Sequence, residues 1–338
     1  MKDTMRAAVL RAPRQLEMSE VPRPAMEPGD VLVRIACVGL CGSDVHFYEH
    51  GRVGDLTVER PLILGHEASG VIVDAAPDVD ASVIGTRVAI EPQRPCRSCS
   101  QCRAGRYNLC PDMRFPSAPP EDGAFAEYLS IPADFAHPIP PHMSFEQAAL
   151  VEPLSVGIAA VRKIGVVPGS RVLVAGAGPI GVLAAAAARA FGAAEVVVVD
   201  PLASRRAIAL RHGATRAISP DEAGSLDGTM DGFVDASGVR AAIASGLRSL
   251  RGAGRAALVG MGSSSFEMDL FLLQSRELVV EGLFRYVETW PVAIHLIASG
   301  RVVVDELVSG RGGLADLADF MRRNGDEEVM KFLIDPRT

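Results

Sequence analysis

Residues 171–191 read RVLVAGAGPIGVLAAAAARAF. A β-branched run, Val172–Ala175, meets Gly176-Ala177-Gly178-Pro179-Ile180-Gly181, and an alanine-rich helical pattern, Ile180–Phe191, follows. The glycines fit G-x-G-x-x-G. Alone that pattern is weak; between a strand and a helix it reads as a dinucleotide-binding turn. The first glycine permits the tight turn, the second lets the backbone approach a pyrophosphate, and the third lets helix and strand pack closely. The helix N-terminus, with Pro179 and Ile180, presents free N–H groups and a positive dipole end to phosphates. The bland alternative is a generic glycine turn.

Outward from this stretch, strands and helices alternate. Glu195–Asp200 reads as strand, Ala203–Arg211 as helix stopped by Gly213, and Arg216–Ser219 as strand. A second series follows: Gly232–Ala236, a helix over Ala241–Leu250, Arg255–Gly260 and Leu278–Leu283. This order predicts βαβ units and an α/β fold with a doubly wound parallel (Rossmann) sheet of about six strands. Asp200 lies 19 residues beyond Gly181. A carboxylate there can accept hydrogen bonds from an adenosine ribose and would repel a 2′-phosphate, which favours NAD over NADP. Arg205 is a candidate on the cofactor side; for Arg205 and Arg206 alike, solvated helix charge is the ordinary reading.

The first ~150 residues differ in character. Val31, Val33, Ile35 and Cys37 alternate as in a half-buried strand, and Ala68–Val73, Arg87–Ile90 and Ala126–Ile131 are strand-like. Helical patterning is scarce. Four of the six cysteines form Cys96-x2-Cys99-x2-Cys102-x7-Cys110. Four thiolates on one loop complete a tetrahedral zinc shell with no open position, which marks a structural site. A disulfide pair is the main alternative and a cubane iron–sulfur cluster the lesser one. Cys41, His66, Glu67 and Glu152 are scattered; Cys41 has a plain reading as a buried thiol, His66 as a core histidine and Glu152 as a helix-boundary carboxylate.

The 338 residues suit two domains, and a net charge of -7 argues against nucleic acid or anionic membrane as partner. The charged start, MKDTMRAAVL, lacks an apolar signal region, and the apolar run from Val182 to Val199 is broken by Arg189 and Glu195. A cytoplasmic protein is expected, consistent with the clustered cysteines.

The stretches CGSDVHFYEHG (41–51), LGHEASG (64–70), the four-cysteine lobe, LVEPLSVG (150–157) and GAGPIG (176–181) occur in one order. In them the chain resembles the zinc-containing medium-chain dehydrogenase/reductase family. With GLFRYVETWP (282–291) it resembles the sorbitol and xylitol (polyol) dehydrogenases within that family. The resemblance implies a β-rich GroES-like catalytic domain over 1–153 with its zinc lobe at about 92–112. It further implies an NAD-binding Rossmann domain over 154–287 and a C-terminal return, 288–338, to the catalytic domain. Helical spacing in Val292–Ile297 and Leu314–Met321 belongs to that return.

The resemblance also implies site roles. Cys41, His66 and Glu67 would bind a catalytic zinc, with Glu152 either an alternating ligand or the holder of the zinc-bound water. Many alcohol dehydrogenases place a third zinc cysteine where this chain has Val151-Glu152-Pro153. Ser43 and His46 would relay the proton. Phe47, Phe115, Arg285 and Tyr286 would face the substrate, and Gly260, Gly262 and Phe284 the nicotinamide. Phe47 departs from the tyrosine frequent in polyol dehydrogenases. All four lobe cysteines are kept, unlike in some sorbitol dehydrogenases.

The implied function is zinc- and NAD-dependent oxidation of a secondary polyol hydroxyl to a ketose: D-sorbitol to D-fructose, or xylitol to D-xylulose. Other zinc dehydrogenases, acting on diols, sugar acids or threonine, are the alternatives within the family. A non-catalytic nucleotide-binding relative is the alternative outside enzymes. A small-molecule polyol is the expected partner, and a homo-oligomer, tetramer or dimer, is expected, with Leu278–Leu283 as a strand able to pair across subunits.

Overall fold

The computed structural model describes residues 3–262 and 265–338; Lys2, part of the charged start, lies outside them. Two compact units form: Met1–Glu152 with Trp290–Ala298 and Val304–Thr338, and Pro153–Thr289 with Ser299–Val303.

The first unit opens with an antiparallel hairpin of β1 (Thr4–Ala12) and β2 (Gln15–Pro22). After the Pro28-Gly29 turn comes β3 (Asp30–Gly39), then α1 (Gly42–His50), the short β4 (Arg52–Val53), β5 (Leu56–Thr57) and β6 (Leu62–Ile63), and β7 (Glu67–Ala75). The unit continues through β8 (Arg87–Ile90), α2 (Ser100–Arg103), β9 (Tyr128–Pro132), β10 (Ala136–Pro138) and α3 (Phe145–Ala149). α4 (Val151–Lys163) carries Glu152 in its first turn.

Two expectations need correction here. β3 is not half-buried: every residue except Arg34 is buried, Leu32, Ala36 and Val38 of the other face included. The strand expected over 126–131 starts later, since Ala126 makes only an isolated bridge to Ala7. α1 carries no apolar stripe that would mark it in the sequence, because its buried positions are Asp44, Phe47 and Tyr48.

In the second unit β11 (Arg171–Ala175), α5 (Pro179–Ala190), β12 (Glu195–Val199), α6 (Ala203–Arg211) and β13 (Arg216–Ile218) form one half. β14 (Met230–Asp235), α7 (Arg240–Ser249), β15 (Leu250–Leu258), α8 (Leu270–Ser275) and β16 (Val279–Gly282) form the other. All pairings are parallel, in the order β13-β12-β11-β14-β15-β16. Counted from β11 this is 3-2-1-4-5-6, the doubly wound arrangement, whose ligand crevice lies where the order reverses. β15 begins at Leu250, before the expected Arg255, because Leu250 pairs with Met230 ahead of a register shift.

The chain then re-enters the first unit with α9 (Trp290–Ala298), β17 (Val308–Gly313), α10 (Leu317–Arg323) and β18 (Lys331–Asp335). The large sheet there runs β10-β8-β7-β3-β18-β17, with β9 also on β3. Gly39, the last residue of β3, pairs with Glu67 at the start of β7 on one side and with Leu333 of β18 on the other. That register sets the site. Among the described residues no helix is long and apolar enough to cross a membrane.

Candidate active site and metal centres

Cys41 is the N-cap of α1, and His66 and Glu67 sit where the chain enters β7. Their ligand atoms lie within 4.8 Å of one another. His66 and Glu67 are buried; Cys41 is half-buried.

Asp44 braces this trio. It is fully buried, with Oδ2 accepting from Cys41 N at 3.1 Å and Oδ1 accepting from Gly65 N at 3.1 Å and Ser117 Oγ at 2.8 Å. Oδ1 also lies 3.5 Å from His66 Nδ1, an ion-pair separation, and Nδ1 makes no hydrogen bond. Burial opposes ionisation of Asp44, yet His66 and the hydrogen bonds from Ser117 and Cys41 hold its carboxyl below the usual carboxylate range. One carboxylate thus fixes the backbone beside two members of the trio and faces the imidazole of one.

Glu67 has a different support. Lys331 Nζ donates to both its oxygens, at 2.7 and 2.9 Å, and to Leu40 O at 2.9 Å. The pair meets across Gly39, where a Cβ would overlap Glu67 Oε2. Burial alone would lower the Lys331 pKa, but the charges of Glu67, Cys41 and Glu152 hold it above the usual lysine value. Glu152, itself buried, stands outside the trio. Sulfur, nitrogen and oxygen donors within 4.8 Å of one another fit a zinc ion that keeps a position for a further ligand.

The second cluster is all sulfur. Cys96, Cys99, Cys102 and Cys110 also lie within 4.8 Å of one another, and none of the six cysteines is in a disulfide. Zinc–sulfur bonds of about 2.3 Å would separate tetrahedral sulfurs by about 3.8 Å, so the cluster fits the ion. Backbone amides point at the sulfurs: Cys99 N to Cys96 Sγ and Cys102 N to Cys99 Sγ, each 3.4 Å, and Cys96 N to Cys110 Sγ, 3.3 Å. Amides of Ser98 and Cys99 bring the Cys96 thiol down to about 6, while burial and the neighbouring thiols push Cys102 up to about 12. Four thiolates this close need a cation between them. Tyr107 anchors the lobe, its hydroxyl donating to Glu91 Oε1 at 2.8 Å; Glu91 Oε2 lies 2.9 Å from His137 Nε2.

In the second unit a cleft of about 750 Å3 opens at the carboxyl ends of β11, β12 and β14, lined in part by Gly176, Gly178, Asp200, Arg205 and Ser237. Gly176 has φ +93°. At Gly181 a Cβ would overlap Gly176 O, whereas at Gly178 it would meet only Arg205 Nη1, at 3.7 Å. No protein atom requires glycine at 178, but a pyrophosphate held against the start of α5 would. Asp200 ties the turn, accepting from Ala177 N at 2.7 Å and Leu202 N at 2.9 Å. Arg206 is not simply solvated: its Nη1 donates to Asp200 O and Pro201 O. Gly260 and Gly262 pack against Gly238 too closely for a Cβ.

The remaining expected residues are dispersed. Phe115 is buried with its ring 5.5 Å from that of His66. Ser43 is half-buried; His46 is exposed, 5.9 Å from the His50 ring. Phe47 is packed in the main core of the first unit. In the second unit Phe284 is exposed, Arg285 lies over its ring at 4.7 Å, and Tyr286 is buried. Sequence reading missed Asp44, Ser117 and Lys331. Asp44 lies inside the stretch CGSDVHFYEHG; nothing local marks the other two.

Family models match residues 27–141, the alcohol dehydrogenase GroES-like domain, and 179–299, a zinc-binding dehydrogenase domain. The chain is 39% identical over 343 residues to a sorbitol dehydrogenase of Bacillus subtilis, covering 98% of this chain and 97% of that one. The chain belongs to the zinc-containing medium-chain dehydrogenase/reductase family. It is an oxidoreductase. It is also 40% identical to a probable D-xylulose reductase A of Neosartorya fischeri, over 89% of this chain and 88% of the relative. Among solved structures of the family, a putative zinc-binding dehydrogenase from Sinorhizobium meliloti bound to NADP superposes with a TM-score of 0.92. It shares 29% identity and covers 99% of this chain and 100% of its own.

Proposed function

We propose that the enzyme oxidises a secondary hydroxyl of a polyol to the ketose with NAD, sorbitol to fructose and xylitol to xylulose being the best cases. The observation that carries this is the mixed-donor trio of Cys41, His66 and Glu67, distinct from the sulfur tetrad, in a family member about 40% identical to polyol enzymes. The first unit is the catalytic part and the second binds the nucleotide, through Gly176, Gly178, Gly181 and Asp200. Asp200 favours NAD, because a 2′-phosphate would meet its carboxylate.

The reaction removes one hydride and one proton from a carbinol carbon and its hydroxyl. A zinc ion held by Cys41, His66 and Glu67 would supply positive charge to the substrate oxygen, and a nicotinamide nucleotide held at Gly176, Gly178 and Gly181 would supply the hydride acceptor. The chain does the rest. Asp44 keeps Cys41 and His66 in register, and Lys331 neutralises Glu67. Ser43 and His46 pass the proton outward, His46 being exposed. Glu152, buried in the first unit, offers a carboxylate to the remaining hydroxyls, a group that would be costly to leave unpaired with a simple alcohol. Phe115 walls the carbons beside His66. β16 is an edge strand, and exposed Leu270 and Phe271 lie on α8, which supports self-association along that edge.

A steady-state panel of sorbitol, xylitol, threonine, 2,3-butanediol and ethanol, each with NAD and NADP, tests the proposal. The polyols should lead with NAD. Turnover confined to simple alcohols, or to threonine, would overturn it.

A further inference from the structure

Residues 115–125 form a loop clamped at both ends to the segment that carries His66. At its far end Gly123 N donates to Ile63 O at 2.7 Å, Ala124 N to Gly65 O at 2.7 Å and Phe125 N to Leu64 O at 2.9 Å. Asp122 Oδ1 accepts from Ile63 N at 2.9 Å. At its near end Phe115 lies against the His66 ring. Between them is Ser117.

Ser117 has φ +79°, in the left-handed region that non-glycine residues avoid at a cost of about 1–2 kcal/mol. It is 2% exposed. The surroundings over-determine this conformation: Ser117 Oγ accepts from Gly65 N at 3.0 Å and donates to Asp44 Oδ1 at 2.8 Å, and Ser117 N donates to Glu121 O at 3.1 Å. Serine gains nothing from this backbone by itself; glycine would adopt it without cost. What the serine adds is a hydroxyl between the brace of the trio and the residue preceding His66. Strain held at such a point is a mark of a positioning role.

We propose that Ser117 is a positioning residue: its hydroxyl locks the Phe115 loop to Asp44 and thereby sets how tightly the Cys41–His66–Glu67 centre retains zinc. The inference rests on the reading of that trio as the catalytic zinc site. Outer-shell partners of metal ligands usually change metal affinity by about 10- to 100-fold when removed. Ser117 acts through Asp44, so the lower end of that range applies.

The test uses the full-length zinc-loaded enzyme with Ser117→Gly and Ser117→Ala. Zinc release to a pyridine dicarboxylate chelator is followed site by site with a colorimetric zinc indicator, together with thermal melting and polyol kcat and KM. Ser117→Gly relieves the backbone strain, so its fold is not weakened by backbone geometry. It should nevertheless release one zinc about 10-fold faster than the parent while the lobe zinc leaves at the parental rate. Ser117→Ala should release zinc in the same way, and both should lower kcat more than they raise KM. Release of both zincs at the parental rate from both variants overturns the proposal. A merely structural serine would shift melting without this site-selective release. If the parent itself carries only the lobe zinc, the reading of the trio falls first, and this inference with it.

Discussion

The sulfur tetrad and the mixed trio are assembled by opposite routes. Cys96, Cys99, Cys102 and Cys110 come from one loop, with the amides of that loop turned toward the sulfurs. Cys41, His66 and Glu67 come from a helix cap and a strand start, and lean on Asp44 and on Lys331, the latter 264 residues from Glu67. A complete, inert shell needs only a short piece of chain. A shell that keeps a position for substrate must be held from outside, because its own ligands do not close it. Damage to distant supports should therefore injure the trio and spare the tetrad.

The largest expected effect is that of Cys41→Ser. Polyol turnover should be abolished and one zinc lost, with NAD affinity unchanged, as measured by steady-state kinetics, metal analysis and calorimetric titration. Retained activity would break the comparison at its root.

Cys99→Ser makes the reverse cut. Structural zinc holds small lobes with apparent free energies of about 10 kcal/mol or more, so the loop should unfold locally. Limited proteolysis should cut within residues 96–110, while the zinc at the trio stays bound. Loss of both zincs would show that the two centres are not independent.

In the metal-free protein, Lys331→Met leaves Glu67 buried without its counter-charge and should cost about 3–5 kcal/mol in urea unfolding. Adding Glu67→Gln should recover much of that loss, which a pair of independent sites would not do. The smallest effect is that of Tyr107→Phe, about 1 kcal/mol for one lost hydrogen bond to Glu91, with no change in kcat.

The same contrast explains what could be read from the chain. The tetrad was legible because its ligands are sequence neighbours. The glycine turn was legible because a strand precedes it and a helix follows it, and the 3-2-1-4-5-6 sheet bears out the expected fold. The trio could be gathered only through family resemblance, since no periodicity joins residue 41 to 66. α1 was overlooked because its inward face carries Asp44, a charge where an apolar residue is expected. No local pattern marks Lys331; only the register of β7, β3 and β18 brings it to Glu67. Ser117 was hidden in a proline-rich turn, its importance residing in a backbone angle that sequence does not display.

Gly39 has a consequence for how this chain can change. The carboxylate of Glu67 occupies the volume that any side chain at 39 would claim. The two positions are therefore coupled in mutational space. In a library randomised at both, substitutions at 39 should survive a folding screen only beside a residue shorter than glutamate at 67, and each such survivor would have shortened or lost the carboxylate of the trio. An absent side chain at the end of one strand thus restricts the substitutions open to the reaction centre.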